Sequence, residues 1–316
     1  MIKMSDNKGL SVVVPFLNEE ESVTVFCSEI DKFASSLSFP LELVFVDDGS
    51  TDNTVEIISQ YAFHYVVSAK IVKLSKNFGS HAAIRAGIRQ AEYDICTWID
   101  CDLQAPLSFI TEAYQLIGQG YDAVYLEKKS VKVSLVSRMF SKMYAHMMKK
   151  YAVKNFSSNG INNAMFNRTV MDYMNENVEA NSNIMLQMLD AGFKSVTLSM
   201  DFHERVIGKS KWTLGKKIKL FIDSFVSFSF APIRLVSILG VLMFFAGLIG
   251  GIMTLINRII TPEVPAGYST LISVIAVGFG ITNISLGIIA EYLWRTFDAA
   301  RSRPTFVISE IINIKQ

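Results

Sequence analysis

Apolar runs alternate with amphipathic stretches through the first half of the chain. Five short apolar runs predict strands at residues 10–14, 41–46, 69–74, 95–99 and 122–126. Between them, apolar residues recur at helical spacing, which predicts helices over 19–37, 54–62, 80–90 and 107–118. Strands that alternate with helices of this size are typical of βαβ units. The pattern therefore predicts an α/β domain built on a mostly parallel sheet.

Polar sequences follow the first four predicted strands. They are "PFLNEE", "DDGSTDN", "SKNFGSH" and "DCDLQ". In open α/β sheets, ligands bind outside the carboxyl ends of the strands. Four polar loops at one rim of a sheet are hard to explain as four unrelated turns, so they predict a binding site.

The second half of the chain contains two long uncharged apolar runs, at residues 235–256 and 268–290. Each exceeds 20 residues, and about 20 helical residues cross a bilayer core. We therefore favour two transmembrane helices over a buried soluble core. The positive-inside rule places both ends of this hairpin in the cytoplasm, because basic residues flank it: Lys209, Lys211, Lys216, Lys217, Lys219, Arg234, Arg295, Arg301 and Arg303.

These patterns divide the chain into four predicted parts. Residues 1–211 form a cytoplasmic catalytic domain, 212–232 a juxtamembrane helix, 233–294 a two-helix transmembrane hairpin and 295–316 a cytoplasmic tail. The juxtamembrane stretch alternates lysines with bulky apolar residues, which is typical of an interfacial amphipathic helix. Packing against the globular domain is the alternative. The first 20 residues carry no cleavable signal pattern.

Composition excludes some classes of function. The net charge of +1 gives no overall basic character that would argue for nucleic-acid binding. Three cysteines fit a reducing compartment, and their odd number provides no disulfide framework. The hydrophobic fraction of 50% is high for a soluble protein and is concentrated in the two apolar runs.

The stretch "WIDCDLQAP" places Asp100 and Asp102 one residue apart at the end of a predicted strand. Two carboxylates directed into one crevice supply hard oxygen ligands for Mg²⁺ or Mn²⁺. Such a metal can bridge a nucleotide diphosphate and stabilise it as a leaving group. Taken alone, the stretch is equally compatible with an ordinary polar turn.

The stretch "VFVDDGSTDNT" delivers Asp47 and Asp48 to the end of the preceding strand in the same way. A carboxylate there can accept hydrogen bonds from a nucleobase or from ribose hydroxyls, while Thr51 or Asp52 caps the next helix. An Asx turn with a helix cap, and no ligand, is the alternative. In "VVVPFLNEEES", Pro15 is expected to end the strand, with Asn18 and Glu19 beside the following helix.

Taken together, these motifs resemble the family 2 glycosyltransferases of GT-A fold and, within them, the polyprenyl-phosphate sugar transferases. That group includes dolichol-phosphate mannose synthase and the GtrB-type bactoprenol glucosyl transferases. The resemblance rests on "VVVPFLNEE", "VFVDDGSTDNT", "LSKNFGSHAAIRAG", "IDCDLQAP", "RVIGKSKW" and "SFVSFSFAPIRL", followed by the two apolar runs. It covers nearly the whole chain, and the ordered set is highly specific.

The resemblance implies transfer of a sugar from a nucleotide sugar, expected to be a UDP-sugar, to polyprenyl (undecaprenyl) phosphate at a bacterial inner membrane. Asp100, Asp102 and Gln104 would hold Mg²⁺ or Mn²⁺ and the diphosphate. Arg205 and Lys211 would meet the phosphates and act with the two aspartates in catalysis. The nucleotide would be held by Pro15, Leu17, Asn18, Glu19, Asp47, Asp48 and Ser50.

One segment departs from the relatives. This chain has "GINNAMF" at 160–166 where glucosyl relatives usually carry "GDFRLM", so Ile161 and Asn163 replace an aspartate and an arginine. A phosphate monoester is anionic near pH 7 and can attack without a general base. The change therefore suggests a different sugar pocket, read by the Asn162 and Asn163 amides. Leu17 also replaces a frequent aromatic residue.

Two other functions are the alternatives to this transferase. A processive polysaccharide synthase would carry a Q-x-x-R-W element and more spans, and neither is present in the sequence. A non-catalytic membrane scaffold is supported only by the altered "GINNAMF" segment. The expected partners are the donor, the lipid acceptor and the membrane, a second copy of the chain in a homo-oligomer such as a tetramer, and the flippase and periplasmic glycosyltransferase of the same pathway.

Overall fold

The computed structural model describes residues 8–129, 149, 161–178, 183–202, 268–301 and 304–314, with isolated helical positions between 236 and 260. The chain divides into two compact units. One contains Met1–Phe221 together with Pro304–Gln316, and the other contains Ile222–Arg303.

The first unit is an eight-stranded sheet flanked by helices. Its strands are β1 (Leu10–Phe16), β2 (Leu41–Asp47), β3 (Ser68–Leu74), β4 (Ile95–Trp98), β5 (Ala123–Lys128), β6 (Ile161–Asn167), β7 (Ser195–Met200) and β8 (Ile308–Ile314). Its helices are α1 (Val23–Ala34), α2 (Thr54–Gln60), α3 (Ser80–Gln90), α4 (Ser108–Gly118), α5 (Arg168–Glu176) and α6 (Ile184–Asp190). The prediction of an α/β fold with a mostly parallel sheet is confirmed.

The strand order is β7-β5-β6-β4-β1-β2-β3-β8. Strands β1, β2, β3 and β4 pair in parallel, as do β5 and β7. Strand β6 runs antiparallel between β4 and β5, and β8 runs antiparallel along β3. The carboxyl ends of β1, β2 and β4, three neighbours at the centre of the sheet, therefore open at the same rim.

Both faces of the central strands are buried, which is why these strands appear in the sequence as continuous apolar runs. Val12 and Val14 belong to a core that also includes residues of α1 and α4. Val13 points to the other face, where α3 crosses the sheet. A Cβ on Gly87 of α3 would lie 2.2 Å from Val13 Cγ1. Only glycine permits this approach of the helix to the sheet.

Strand β1 is longer than predicted, because it continues through Pro15 to Phe16. Its ladder with β4 ends at Val13 paired with Trp98, followed by the Ile99 N–H donating to the Val13 carbonyl. The next bond of that ladder would require an N–H at residue 15, and proline has none. Pro15 therefore ends the pairing with β4 while the pairing with β2 continues.

Strand β8 was not anticipated from the sequence. Residues Ile308–Ile314 fall in the predicted tail, yet they pair along β3, from Ala69 with Ile314 to Leu74 with Ile308. The chain thus returns to the sheet of the first unit after the residues of the second.

The second unit contains α7 (Tyr268–Ala300), which includes the second predicted span. The described positions between 236 and 260 are also helical, while most of the first predicted span and the juxtamembrane stretch 212–232 lie outside the described residues. Within the part of the chain that is described, no helix meets the length and hydropathy expected of a membrane span.

Candidate active site

The loop after β1 and the loop after β2 are joined by reciprocal hydrogen bonds. The Asn18 N–H donates to Ser50 Oγ at 3.0 Å, and the Thr51 N–H donates to Asn18 Oδ1 at 2.8 Å. Asn18 has a positive φ of 53°, a conformation that asparagine tolerates better than most residues. Further along, the Glu19 N–H donates to Thr54 Oγ1 at 2.9 Å. The two predicted nucleotide-binding loops therefore form one continuous rim.

Asp47 ends β2, Asp48 follows it directly, and both are buried. Asp47 Oδ1 accepts the Ser50 N–H at 2.8 Å, which closes a tight turn. Asp48 uses both carboxylate oxygens inside the protein, accepting the N–H groups of Phe78 at 2.7 Å and Gly79 at 2.9 Å. Asp48 therefore connects the β2 end to the start of α3, an architectural role that its sequence motif did not reveal.

Burial raises the pKa of Asp48 above its ordinary value, and the charge of Asp47 adds to this effect. The two backbone N–H donors oppose it.

The pKa of Asp52 shifts in the opposite direction. Burial disfavours its charged form, but hydrogen bonds from Thr54 and from backbone N–H groups outweigh this and lower its pKa. Asp52 Oδ1 accepts the Thr54 N–H at 3.1 Å and so holds the start of α2. The helix N-cap is Asn53, so the prediction that Thr51 or Asp52 occupies the cap is wrong.

Asp100 and Asp102 lie in the turn directly after β4, beside the end of β1. The Asp100 carbonyl accepts the Leu103 N–H at 3.3 Å, and Asp102 Oδ1 accepts the Gln104 N–H at 3.2 Å. Leu103 has a positive φ of 50°, which is uncommon for leucine. A turn that holds a leucine in this conformation is under backbone strain, a feature that often marks functional loops.

Cys101, between the two aspartates, is buried and free of any disulfide. Burial raises its pKa well above the ordinary value, with the charges of Glu19, Asp100 and Asp102 contributing. The thiol is therefore neutral and packs as a core side chain.

The chemistry of this turn fits a metal that is shared with a ligand. Across the described ranges, no three His, Cys, Asp or Glu side chains converge in a way that would hold a metal ion unaided. Mg²⁺ sites that act on phosphates are commonly built from one or two carboxylates, with phosphate oxygens and water as the other ligands. Asp100 is exposed and Asp102 half-buried, so both lie at the surface of the rim.

Asn162 and Asn163 differ sharply in their surroundings. Asn162 is exposed, whereas Asn163 is buried and donates its side-chain N–H to the Trp98 carbonyl at 3.0 Å. One N–H of the Asn163 amide is therefore engaged with the strand that leads to Asp100, and the reading of the sugar by Asn162 and Asn163 stays a prediction.

His81 was not predicted as a site residue, although it lies in the "SKNFGSH" stretch, in the first turn of α3. Its Nδ1 is buried and has no hydrogen-bond partner among the described residues. Burial and the nearby charge of Arg85 lower its pKa to about 4, so the imidazole is neutral near pH 7. Arg205, Lys209 and Lys211 lie outside the described residues.

The fold and the rim together define an α/β enzyme with its site at the carboxyl ends of the central strands. The chain belongs to glycosyl transferase family 2, whose profile matches residues 11–177. A second profile, the GtrB C-terminal hairpin, matches residues 231–295.

Relatives match over almost the whole chain. An undecaprenyl-phosphate 4-deoxy-4-formamido-L-arabinose transferase of Proteus mirabilis is 28% identical, with 97% of this chain and 95% of that protein aligned. One of Pseudomonas savastanoi is 30% identical, with 96% and 91% aligned. Among solved structures, a glucosyl-3-phosphoglycerate synthase of Mycobacterium tuberculosis with Mn²⁺, UDP and phosphoglyceric acid matches at 18% identity and a TM-score of 0.45, over 68% of this chain and 75% of that one.

Proposed function

We propose that this enzyme transfers a single sugar from a nucleotide sugar, with a UDP-sugar as the expected donor, to undecaprenyl phosphate at the cytoplasmic face of a bacterial inner membrane. The observation that carries the proposal is the convergence of the β1, β2 and β4 loops at one rim of a family 2 glycosyltransferase sheet. The near full-length similarity to undecaprenyl-phosphate transferases supports the acceptor.

In this proposal the joined β1 and β2 loops bind the nucleotide. The mutual hydrogen bonds between Asn18 and the Ser50–Thr51 segment hold the backbone before a ligand arrives. Such preorganisation reduces the entropy lost on binding. Pro15, Leu17, Glu19 and Asp47 are proposed to contact the nucleotide from the same two loops, and Asp48 contributes by fixing the loop that starts α3.

The Asp100–Asp102 turn, with Gln104, is proposed to hold Mg²⁺ or Mn²⁺ against the diphosphate. When bound, the metal neutralises negative charge on the leaving nucleoside diphosphate. The protein's part is to present two carboxylates at the rim. The pairing of β4 with β1 and the bond from the Gln104 N–H to Asp102 both restrain them.

The acceptor is proposed to arrive along the membrane, with its phosphate guided by Arg205, Lys209 and Lys211. Its oxygen attacks the anomeric carbon in line with the departing diphosphate, which inverts the configuration at that carbon. No general base is required, since the phosphate monoester is already anionic near pH 7.

Residues 233–294 are proposed to anchor the enzyme, with the catalytic domain and both termini in the cytoplasm. The match to the GtrB hairpin supports this. So does a row of exposed apolar side chains at helical spacing: Ile238, Leu242, Phe245, Ile249, Ile252, Ile256 and Ile260. Helix α7 exposes apolar residues as well, including Leu271, Phe279 and Leu293. Exposed apolar area of this kind marks a surface that contacts lipid or protein. We further propose a homo-oligomer, and a flippase and a periplasmic glycosyltransferase that use the product.

The test uses membranes that contain the full-length protein, undecaprenyl phosphate, Mg²⁺ or Mn²⁺, and a panel of UDP- and GDP-sugars that includes a 4-deoxy-4-formamido-L-arabinose donor. Mass spectrometry should detect a lipid phosphate carrying one sugar from one donor. A product with several sugars would favour a processive synthase instead. Failure with every donor, with nucleotide binding retained, would favour a scaffold and refute the proposal.

A further inference from the structure

Strand β4, which leads to Asp100, stops pairing with both neighbouring strands just before the turn. The ladder between β4 and β6 ends at Thr97 paired with Met165, and the ladder between β4 and β1 ends at Trp98. Beyond these pairs, a single peptide group, between Trp98 and Ile99, is held on both sides. Its N–H donates to the Val13 carbonyl at 2.9 Å, and its carbonyl accepts the Asn163 side-chain N–H at 3.0 Å.

Asn163 makes this second bond from a buried position on β6. Only 2% of the residue is exposed, and on the opposite side of the strand it is in register with Leu126 of β5. Its side chain crosses the gap that opens where β4 and β6 separate, and replaces the ladder bond that the backbone no longer makes. Without it, the Trp98 carbonyl would lose a buried partner, which is costly.

We infer that Asn163 is a positioning residue for the Asp100–Asp102 turn. A peptide plane held at both its N–H and its carbonyl fixes the direction in which the chain leaves the sheet. Asp100 is the residue directly after this peptide group, so the position of its backbone relative to the sheet is fixed. Asn163 therefore acts on the metal and diphosphate through the backbone. The inference rests on the proposed function, because it requires that the turn binds a metal.

Thr97 offers a matched control on the same two strands. Its hydroxyl donates to the Ala164 carbonyl at 2.9 Å, and both residues are fully buried. Like the Asn163 bond, this is a side-chain bond from one strand to the backbone of the other. It lies one residue earlier on β4 and does not hold the Trp98–Ile99 peptide. Thr97→Val removes it while keeping the side-chain shape.

The experiment compares full-length Asn163→Leu and Thr97→Val with the wild type. Mn²⁺ binding in the presence of UDP is followed by electron paramagnetic resonance, and the Mn²⁺ concentration for half-maximal transfer is measured in parallel. Residues that orient a metal's ligands typically change metal affinity or activity by about 10–100-fold when mutated. We expect a shift of that size for Asn163→Leu and less than about twofold for Thr97→Val, at similar losses of urea stability.

Equal shifts in the two variants, or no shift in Asn163→Leu, would overturn the inference. If Asn163→Leu does not fold, the smaller Asn163→Ala is expected to shift Mn²⁺ binding in the same direction, and an unchanged affinity there would also overturn it. The measurements on the wild-type protein test the proposed function separately. If wild-type protein binds Mn²⁺ with UDP but transfers no sugar, the proposed function fails, whereas the ratio between the variants still decides the role of Asn163.

Discussion

The close approach of α3 to the sheet gives a sharp test of the packing beneath the site. Replacing Gly87 by alanine would place a Cβ 2.2 Å from Val13 Cγ1 and 3.0 Å from Val46 Cγ2. Val13 lies in a central strand and is fully buried, so neither it nor the helix can move freely. Overpacking of this kind costs about 1–3 kcal/mol. Alanine recovers about 1 kcal/mol of helix propensity, which leaves a net loss of up to about 2 kcal/mol.

Gly118→Ala is the matched control, because Gly118 ends α4 and no atom lies within 4 Å of the Cβ it would gain. It should leave stability unchanged or raise it by up to about 1 kcal/mol. The assay is urea unfolding of the full-length protein, followed by far-UV circular dichroism and by the fluorescence of Trp98, which is buried in β4.

A double-mutant cycle separates the clash from other effects. Val13→Ala alone should cost about 2–3 kcal/mol through lost burial and a cavity. In the Gly87→Ala background it should cost at least about 1 kcal/mol less, because the new methyl group occupies the space that the valine leaves. If the two changes add without coupling, or if Gly87→Ala matches Gly118→Ala, the described packing of α3 on β1 is wrong.

Two further predictions concern buried groups near the site. Burial raises the pKa of Cys27 to about 12 from 9.0, so its thiolate fraction is about 1,000-fold smaller than that of a free cysteine. Because Cys96 and Cys101 are also buried, iodoacetamide at pH 8 should label none of the three until the protein is denatured. Mass spectrometry of native protein would refute this by finding any of them modified. His81 has a folded pKa of about 4, below its ordinary 6.5, so its neutral form stabilises the fold above pH 6.5 and this stability is lost as the pH falls toward 4. His81→Gln should therefore flatten the fall in urea midpoint between these pH values, and an unchanged slope would contradict it.

Much of the fold was predictable because the central strands are buried on both faces. Such strands appear as unbroken apolar runs, and the four polar loops after them mark the rim. Strand β6 was not predictable, because "INNAMFN" contains three asparagines, which are depleted in strands. It becomes a strand because β4 and β5 pair with it on either side. Strand β8 likewise depends on β3, more than 200 residues earlier in the chain.

Like the fold, the candidate site was predictable only in part. The convergence of the Asn18, Asp47 and Asp100 loops follows from strand order and was predictable. The hydrogen bonds of Asp48 were not predictable, because its partners Phe78 and Gly79 lie 30 and 31 residues further along the chain. The buried hydrogen bond from Asn163 to Trp98 was not predictable either. A motif shows which polar groups are present, but not which of them form hydrogen bonds within the fold.

The central claim is that the Asp100–Asp102 turn supports metal-dependent sugar transfer to a polyprenyl phosphate. The most direct measurement is the rate of that transfer by Asp102→Ala in membranes with Mn²⁺ and the donor that the wild-type enzyme uses. Asp190→Ala, which removes an exposed carboxylate at the end of α6, serves as the control. We predict that Asp102→Ala inserts normally, unfolds at a similar urea concentration and loses at least about 100-fold in rate, while Asp190→Ala keeps the wild-type rate. Transfer by Asp102→Ala within threefold of wild type would contradict the claim.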